Sequence, residues 1–252
     1  MTTARVLIIA GSDSGGGAGI QADIKTVTML GGHAMTAVTA VTAQNTRGVV
    51  DVLPLPLGIV EAQFRAVVDD IGVDAVKIGM LGTPDLADTV RRLLETLPRG
   101  VPVVLDPVMV ATSGDALSAA GTARAMADLL PLSALVTPNL PELDALGGEA
   151  AILAHAPALL VKGGHAEGEA IVDRLLTPAG EVARWEDTRI ATTSTHGTGC
   201  TLASGIATGL AQGLDLEAAI ARARAFVRAA LLAAPGLGGG HGPMGHQAVR
   251  GL

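Results

Sequence analysis

The chain holds one cysteine in 252 residues. A single thiol excludes an internal disulfide and fits a reducing compartment. It also leaves no cysteine pairs for a structural zinc site. The six histidines are scattered, with no His-Glu-x-x-His spacing among them. Aromatic residues are only 1% of the chain, so the core must be built from Ala, Val, Leu and Ile packed closely. Charged residues are also scarce, at 16%, the net charge is −7, and no Lys/Arg run occurs. That balance excludes the basic footprint of a nucleic-acid or anionic-membrane binder. No apolar run approaches the ~18 residues of a membrane span. Val6 to Ala10 is too short for a signal-peptide core, and glycine follows at once. A soluble cytoplasmic protein is the expectation. The length suits one large α/β domain spanning 1–252.

Two catalytic signatures are missing as well. No G-x-x-x-x-G-K-[ST] occurs, which excludes a P-loop enzyme. No G-x-S-x-G elbow occurs, which leaves an α/β-hydrolase without its nucleophile.

What is present alternates. Arg5 to Ala10, Ala34 to Ala43, Ala75 to Ile78, Val103 to Leu105, Ala134 to Val136 and Leu159 to Val161 read as strands. Val49 to Leu55 reads as an edge strand, since Pro54 and Pro56 forbid a central one. Ala170 to Leu176 and Val182 to Trp185 form a hairpin through 177–180, and a short strand is expected near Arg189 to Ala191. Helical spacing runs over Ile20 to Leu30, Ile59 to Ile71, Pro84 to about Leu97, Ala120 to Leu130, Cys200 to Gln212 and Leu216 to Ala233. Pro84 stands at a helix start, where its missing N–H costs nothing. Strands alternating with helices predict a mostly parallel sheet covered on both faces. The Gly-rich tail from Pro235 is expected to pack without regular structure.

In such a sheet, ligands bind beyond the carboxyl ends of the strands. The segments standing there are the Gly11–Gly19 loop with five glycines, Gln44, Gly79-Met80, Asp106, Asn139 with Glu142, Lys162, and Thr195-His196-Gly197-Thr198-Gly199-Cys200. The last of these opens a helix. Its free N–H groups and positive dipole end make an anion seat. Cys200 in the first turn is expected to have a lowered thiol pKa. Two carboxylates, a lysine, an anion cradle and a thiol on one edge point to Mg²⁺-dependent phosphoryl transfer. Gly17-Ala18-Gly19-Ile20-Gln21-Ala22 also matches G-x-G-x-x-A after a strand, which keeps a nicotinamide-dependent oxidoreductase open. No acid follows about 20 positions on to hold its ribose.

These motifs resemble the hydroxymethylpyrimidine/phosphomethylpyrimidine kinases of thiamine biosynthesis, in the ribokinase-like group. The matching segments run from about Leu7 to His246. They include Ala10–Asp13 through Asp23, Ala43–Gly48, Lys77–Leu81, Leu105–Met109, Thr137–Glu142, Lys162–His165, Thr195–Cys200 and Gly240–Pro243. Ser194 stands where that family usually has Asn. The resemblance implies a three-layer ribokinase-like fold, use of ATP and Mg²⁺, a homodimer, and two successive transfers. The first goes to the hydroxymethyl oxygen of 4-amino-5-hydroxymethyl-2-methylpyrimidine, and the second to the resulting monophosphate.

It also implies residue roles. Gln44 would hydrogen-bond the pyrimidine, since its amide both donates and accepts. Gly11, Asp23, Met80 and Val108 would line that pocket. Lys162 would neutralise ATP phosphates, while Asp106, Asn139 and Glu142 would hold Mg²⁺, partly through water. The N–H groups of Gly197, Thr198, Gly199 and Cys200 would stabilise the transferring phosphoryl group, with Cys200 as base. Ala111 to Ala120 is a candidate lid. Between Glu142 and Lys162 only 19 residues remain, and a helix is expected to be missing there. A pyridoxal or pyridoxine kinase of the same fold is the alternative within this group. A catalytically dead pyrimidine-binding regulator is a third reading. The edge strand near Val49 to Leu55 is the one candidate dimer contact.

Overall fold

The computed structural model describes residues 3–109, 121–165 and 168–251. Its strands are β1 (Arg5–Asp13), β2 (His33–Asn45), β3 (Gly48–Pro54), β4 (Ala75–Ile78), β5 (Val103–Leu105), β6 (Leu135–Val136), β7 (Leu159–Val161), β8 (Ala170–Thr177) and β9 (Gly180–Thr188). They form one sheet in the order β3-β2-β1-β4-β5-β6-β7-β8-β9. The ladder from β2 to β7 is parallel, with β3 antiparallel at one edge and β8–β9 antiparallel at the other. The alternation read from the sequence therefore gives the expected mostly parallel sheet.

Two helical layers cover it. On one face lie α2 (Leu57–Asp70), α3 (Pro84–Leu94), α4 (Thr122–Ala127), α5 (Leu140–Ala145) and α6 (Gly148–Leu153). On the other lie α1 (Gly19–Met29), α7 (Thr198–Ala211) and α8 (Leu216–Leu232). Strand alternation divides the core between them. Leu7, Ile9, Val76 and Ile78 join the first cluster, whereas Val6, Ile8 and Ala10 join the second. Lys77 therefore points toward α1 and α7. The near-absence of aromatics is met by close approach: a Cβ on Gly205 or Gly209 would stand 2.8 Å from the Cβ of Ala223 or Ala219. Thr83 caps α3 through Leu86 N–H, with Pro84 in the first turn. Such a cap contributes about 1 kcal/mol.

Three expectations need correction. No strand forms over 189–191; the irregular chain there is pinned by Arg189 N–H to Glu169 O at 2.6 Å. The region between Glu142 and Lys162 does carry helix, as two short pieces, because Gly147 and Gly148 at φ +89° and +88° break the run without removing it. β2 continues past Ala43 through Gln44 to Asn45, so Gln44 lies on the strand rather than beyond its end. The tail packs mainly without regular structure, tied down by a bridge between His196 and Pro243 and a short 3₁₀ turn at His246–Ala248.

Candidate active site

The carboxyl ends of the parallel strands and the start of α7 surround a cleft of ≈ 700 Å³. Gly11, Gln44, Met80, Asp106, Val108, Asn139, Glu142, Lys162, Gly197, Thr198, Gly199 and Cys200 all line it. The convergence expected from strand-end positions is thus present in three dimensions.

At its centre Lys162 Nζ donates to Asp106 Oδ1 at 2.7 Å and lies 3.9 Å from Glu142 Oε2. Thr137 Oγ1 donates to the same Asp106 oxygen at 3.2 Å. Asp106 Oδ2 is buried and has no hydrogen-bond partner among the described residues. Burial works to lower the Lys162 pKa, but Asp106 and Glu142 outweigh it and hold the ammonium charged. Burial pushes the Glu142 carboxyl up to about 7; Lys162 opposes this and the Asp106 charge reinforces it. Glu142 is also half of a capping box on α5. Asn139 Oδ1 accepts from Glu142 N–H at 2.9 Å, and Glu142 Oε2 accepts from Asn139 N–H at 2.8 Å. The Asn139 carbonyl oxygen expected to face a metal is therefore engaged as a helix cap.

α7 begins differently. Gly197, at φ +83°, occupies its N-cap with no side-chain cap. A Cβ there would stand 2.0 Å from Gly17 O, so the turn lies flush on the Gly-rich loop after β1. The first-turn N–H groups have no intrahelical acceptors. Thr198 N–H donates to Thr195 O at 3.4 Å; the others open toward the cleft, where a Cβ on Gly199 would lie 3.2 Å from Lys162 Nζ and 3.6 Å from Asp106 Oδ2. Cys200 stands in this turn. The expectation of a lowered pKa is overturned: burial pushes the thiol up to about 12, and Lys77 only partly offsets it. Desolvation outweighs the helix dipole here.

The other end of the cleft holds Gln44. Thr42 Oγ1 lies 3.1 Å from its Oε1, and His196 Nε2 lies 3.5 Å from its Nε2. His196 Nε2 also meets Asp13 Oδ2 at 2.9 Å. Asp13 in turn accepts from the N–H groups of Gly15, Gly17 and Ala18. Burial would raise the Asp13 pKa, yet these bonds and His196 hold it below the usual carboxylate range. Sequence reasoning gave neither Asp13 nor His196 a role, although both stand inside motifs it quoted. An acid opening a glycine run and a histidine preceding a glycine turn were the available signals.

Asp23 requires a correction. It does not line the cleft but is wholly buried behind it, where Lys77 Nζ donates to Oδ2 at 2.9 Å and Ser204 Oγ to Oδ1 at 2.6 Å. The candidate lid at 111–120 lies outside the described residues.

The donor set fits a hard divalent cation. Asp106 presents one unshared carboxylate oxygen, Glu142 is adjacent, and such ions take few protein oxygens and keep waters and phosphates. Among the described residues no group of three or more His, Cys, Asp or Glu side chains is placed to hold a metal ion.

A family model described as phosphomethylpyrimidine kinase matches residues 13–245. A hydroxymethylpyrimidine/phosphomethylpyrimidine kinase of Streptomyces coelicolor is 47% identical over 98% of this chain and 95% of its own. A thiamine biosynthesis bifunctional protein of Geobacter sulfurreducens is 47% identical over 96% of this chain and 52% of its own. Among solved structures, pyridoxal kinase from Staphylococcus aureus in complex with pyridoxal superposes with a TM-score of 0.88 at 32% identity, covering 98% of this chain and 95% of that one.

Proposed function

The chain belongs to the phosphomethylpyrimidine kinase family, and on that premise we propose how its strand-end cleft carries out the transfers. The fold is ribokinase-like, and the protein is a kinase of thiamine biosynthesis. It phosphorylates 4-amino-5-hydroxymethyl-2-methylpyrimidine and then the monophosphate. ATP is the donor. The reading rests most on one observation: the unshared Asp106 oxygen, the Lys162 ammonium and the uncapped start of α7 meet within a few ångströms.

Lys162 and the N–H groups of Gly197 to Cys200 take the charge of the transferring phosphoryl group. Positioned charge of this kind is the main source of acceleration in phosphoryl transfer. Asp106, with Glu142 through water, would hold Mg²⁺, which neutralises phosphate charge when bound. Asn139 supports this pair by fixing Glu142. Gln44 hydrogen-bonds the pyrimidine, and Thr42 and His196 orient its amide. Met80, Gly11 and Val108 bound the ring. Cys200 removes the hydroxymethyl proton in the first transfer. Its thiol must ionise beforehand, which Lys77 favours. The second acceptor is a phosphate oxygen and needs little deprotonation. A homodimer paired through the β3 edge, where Val50 and Leu53 are exposed, completes the reading together with a cytoplasmic location.

The test is coupled ADP release with Mg-ATP. Two ADP per pyrimidine are expected. No turnover of the pyrimidine would overturn the reading. The pyridoxal kinase reading is kept by the pyridoxal-bound neighbour of TM-score 0.88. One ADP per pyridoxal with no pyrimidine turnover would favour it.

A further inference from the structure

The Lys162 side chain has a clear partner, but its backbone is held by a residue to which no role has been given. Lys162 N–H donates to Pro138 O at 3.1 Å. The next amide, Gly163 N–H, donates to Asp173 Oδ1 at 2.9 Å in a buried contact. That bond fixes the peptide plane between Lys162 and Gly163. The segment is pressed flat on β8, since a Cβ on Gly163 would stand 2.1 Å from Val172 O. The second oxygen of Asp173 accepts from Arg224 Nε of α8 at 2.7 Å. Arg224 Nη2 reaches Asp187 Oδ2 on β9 at 2.8 Å, and its guanidinium carbon lies 5.8 Å from the Trp185 ring centroid. Asp173 is thus saturated, with one oxygen on the lysine turn and the other on α8.

We infer that Asp173 is the positioning residue that aims Lys162 at the nucleotide phosphates, and that Arg224 holds Asp173 in place. The inference rests on the phosphate role given to Lys162 above. A long, flexible lysine serves a phosphoryl group only if its stem leaves the backbone in one direction. A backbone amide bonded to a buried carboxylate supplies that restraint. Hydrogen bonds to a charged acceptor are among the stronger ones. The restraint acts through Lys162, so its loss should weaken ligands in proportion to their terminal phosphates and leave the nucleoside part unchanged.

The experiment is calorimetric binding of Mg-ATP and of AMP to the full chain, for wild type, Asp173→Asn, Arg224→Met, Lys162→Met and Asp173→Asn/Lys162→Met. Asp173→Asn is expected to lower ATP affinity about tenfold, with AMP affinity unchanged. Arg224→Met should lower it less, because the Gly163 bond survives. In the double variant the Asp173 change should add nothing to the loss caused by Lys162→Met. Equal loss for ATP and AMP, or full additivity, would overturn the inference and make Asp173 a fold contact. If Asp173→Asn does not fold, Arg224→Met decides: a loss of ATP affinity with AMP affinity unchanged and faster hydrogen exchange at the Gly163 amide than in wild type are expected, and equal loss for both nucleotides or unchanged exchange would overturn the inference. Failure of wild type to bind Mg-ATP at all would instead sink the kinase reading, so the two failures are distinguishable.

Discussion

Two buried lysine–aspartate pairs lie close together in this molecule, and they have opposite meanings. Lys77 and Asp23 are fully buried; Ser204 takes the second carboxylate oxygen, so that pair is closed. Lys162 and Asp106 are nearly as buried, yet Asp106 Oδ2 has no partner among the described residues and faces the start of α7. Removing two charges from water is costly, and a pair recovers that cost only when every lone pair is satisfied. In the first pair both carboxylate oxygens are satisfied by the protein. The second pair is left for a ligand to satisfy. What separates a structural ion pair from a chemical one here is the partner of the second carboxylate oxygen, not the residue types.

The largest expected effect breaks the closed pair. Lys77→Met leaves Asp23 as an uncompensated buried charge and should cost about 3–5 kcal/mol of stability in urea unfolding. Lys77→Met combined with Asp23→Leu should recover most of that loss. A Lys77→Met protein as stable as wild type would refute the distinction.

The open pair should respond in the reverse sense. Asp106→Asn is expected to lower turnover about 10²–10³-fold, with a smaller loss of stability than Lys77→Met, because Lys162 loses its charged partner at 2.7 Å but keeps Glu142 at 3.9 Å and an opening to the cleft. A large loss of stability with modest loss of ADP release would show that Asp106 is structural after all.

Cys200 sits between the two pairs and inherits charge from both. With its thiol pushed up to about 12, the protein at neutral pH holds a thiol and not a thiolate. Turnover of the first transfer should therefore rise with pH through the neutral and mildly alkaline range. The second transfer should be flatter. Cys200→Ala should slow the first transfer about 10²-fold and the second by less. Equal slowing of both steps would remove Cys200 as the base.

How much of this could be read beforehand depended on whether the deciding contact was local. Strands β4, β5 and β7 were legible because each is a short apolar run ended by glycine, Asp-Pro or a lysine turn. Once they were placed, the edge on which Gln44, Asp106, Lys162 and Cys200 gather followed from topology alone. Asp23 and Asp106 could not be told apart. Both are acids in quoted motifs, and the partners that close Asp23 lie 54 and 181 positions away. The direction of the Cys200 shift is hidden for the same reason: the dipole of its own helix is local, but the burial that overrides it comes from the whole cleft. The motif makes Asn139 a candidate ligand, its spacing to Glu142 is equally that of a capping box, and the capping box is what forms.

The finest probe of the open pair is its third member. Burial outweighs the pull of Lys162 and pushes the Glu142 carboxyl up to about 7 in the folded protein, from an ordinary value of about 4.5. Between those values the folded chain keeps a proton that the unfolded chain has released. Stability must therefore fall as pH rises from about 4.5 to about 7, with no further loss from this group above that range. Glu142→Gln removes the titration while its amide oxygen still accepts from Asn139 N–H in the capping box. That variant should lose this component of the pH slope in urea unfolding and keep its far-UV spectrum. An unchanged slope would mean that Glu142 is already ionised in the empty cleft. In that case the site would hold two carboxylates against one lysine before any ligand arrives, and the asymmetry between the two buried pairs would be greater than the one drawn here.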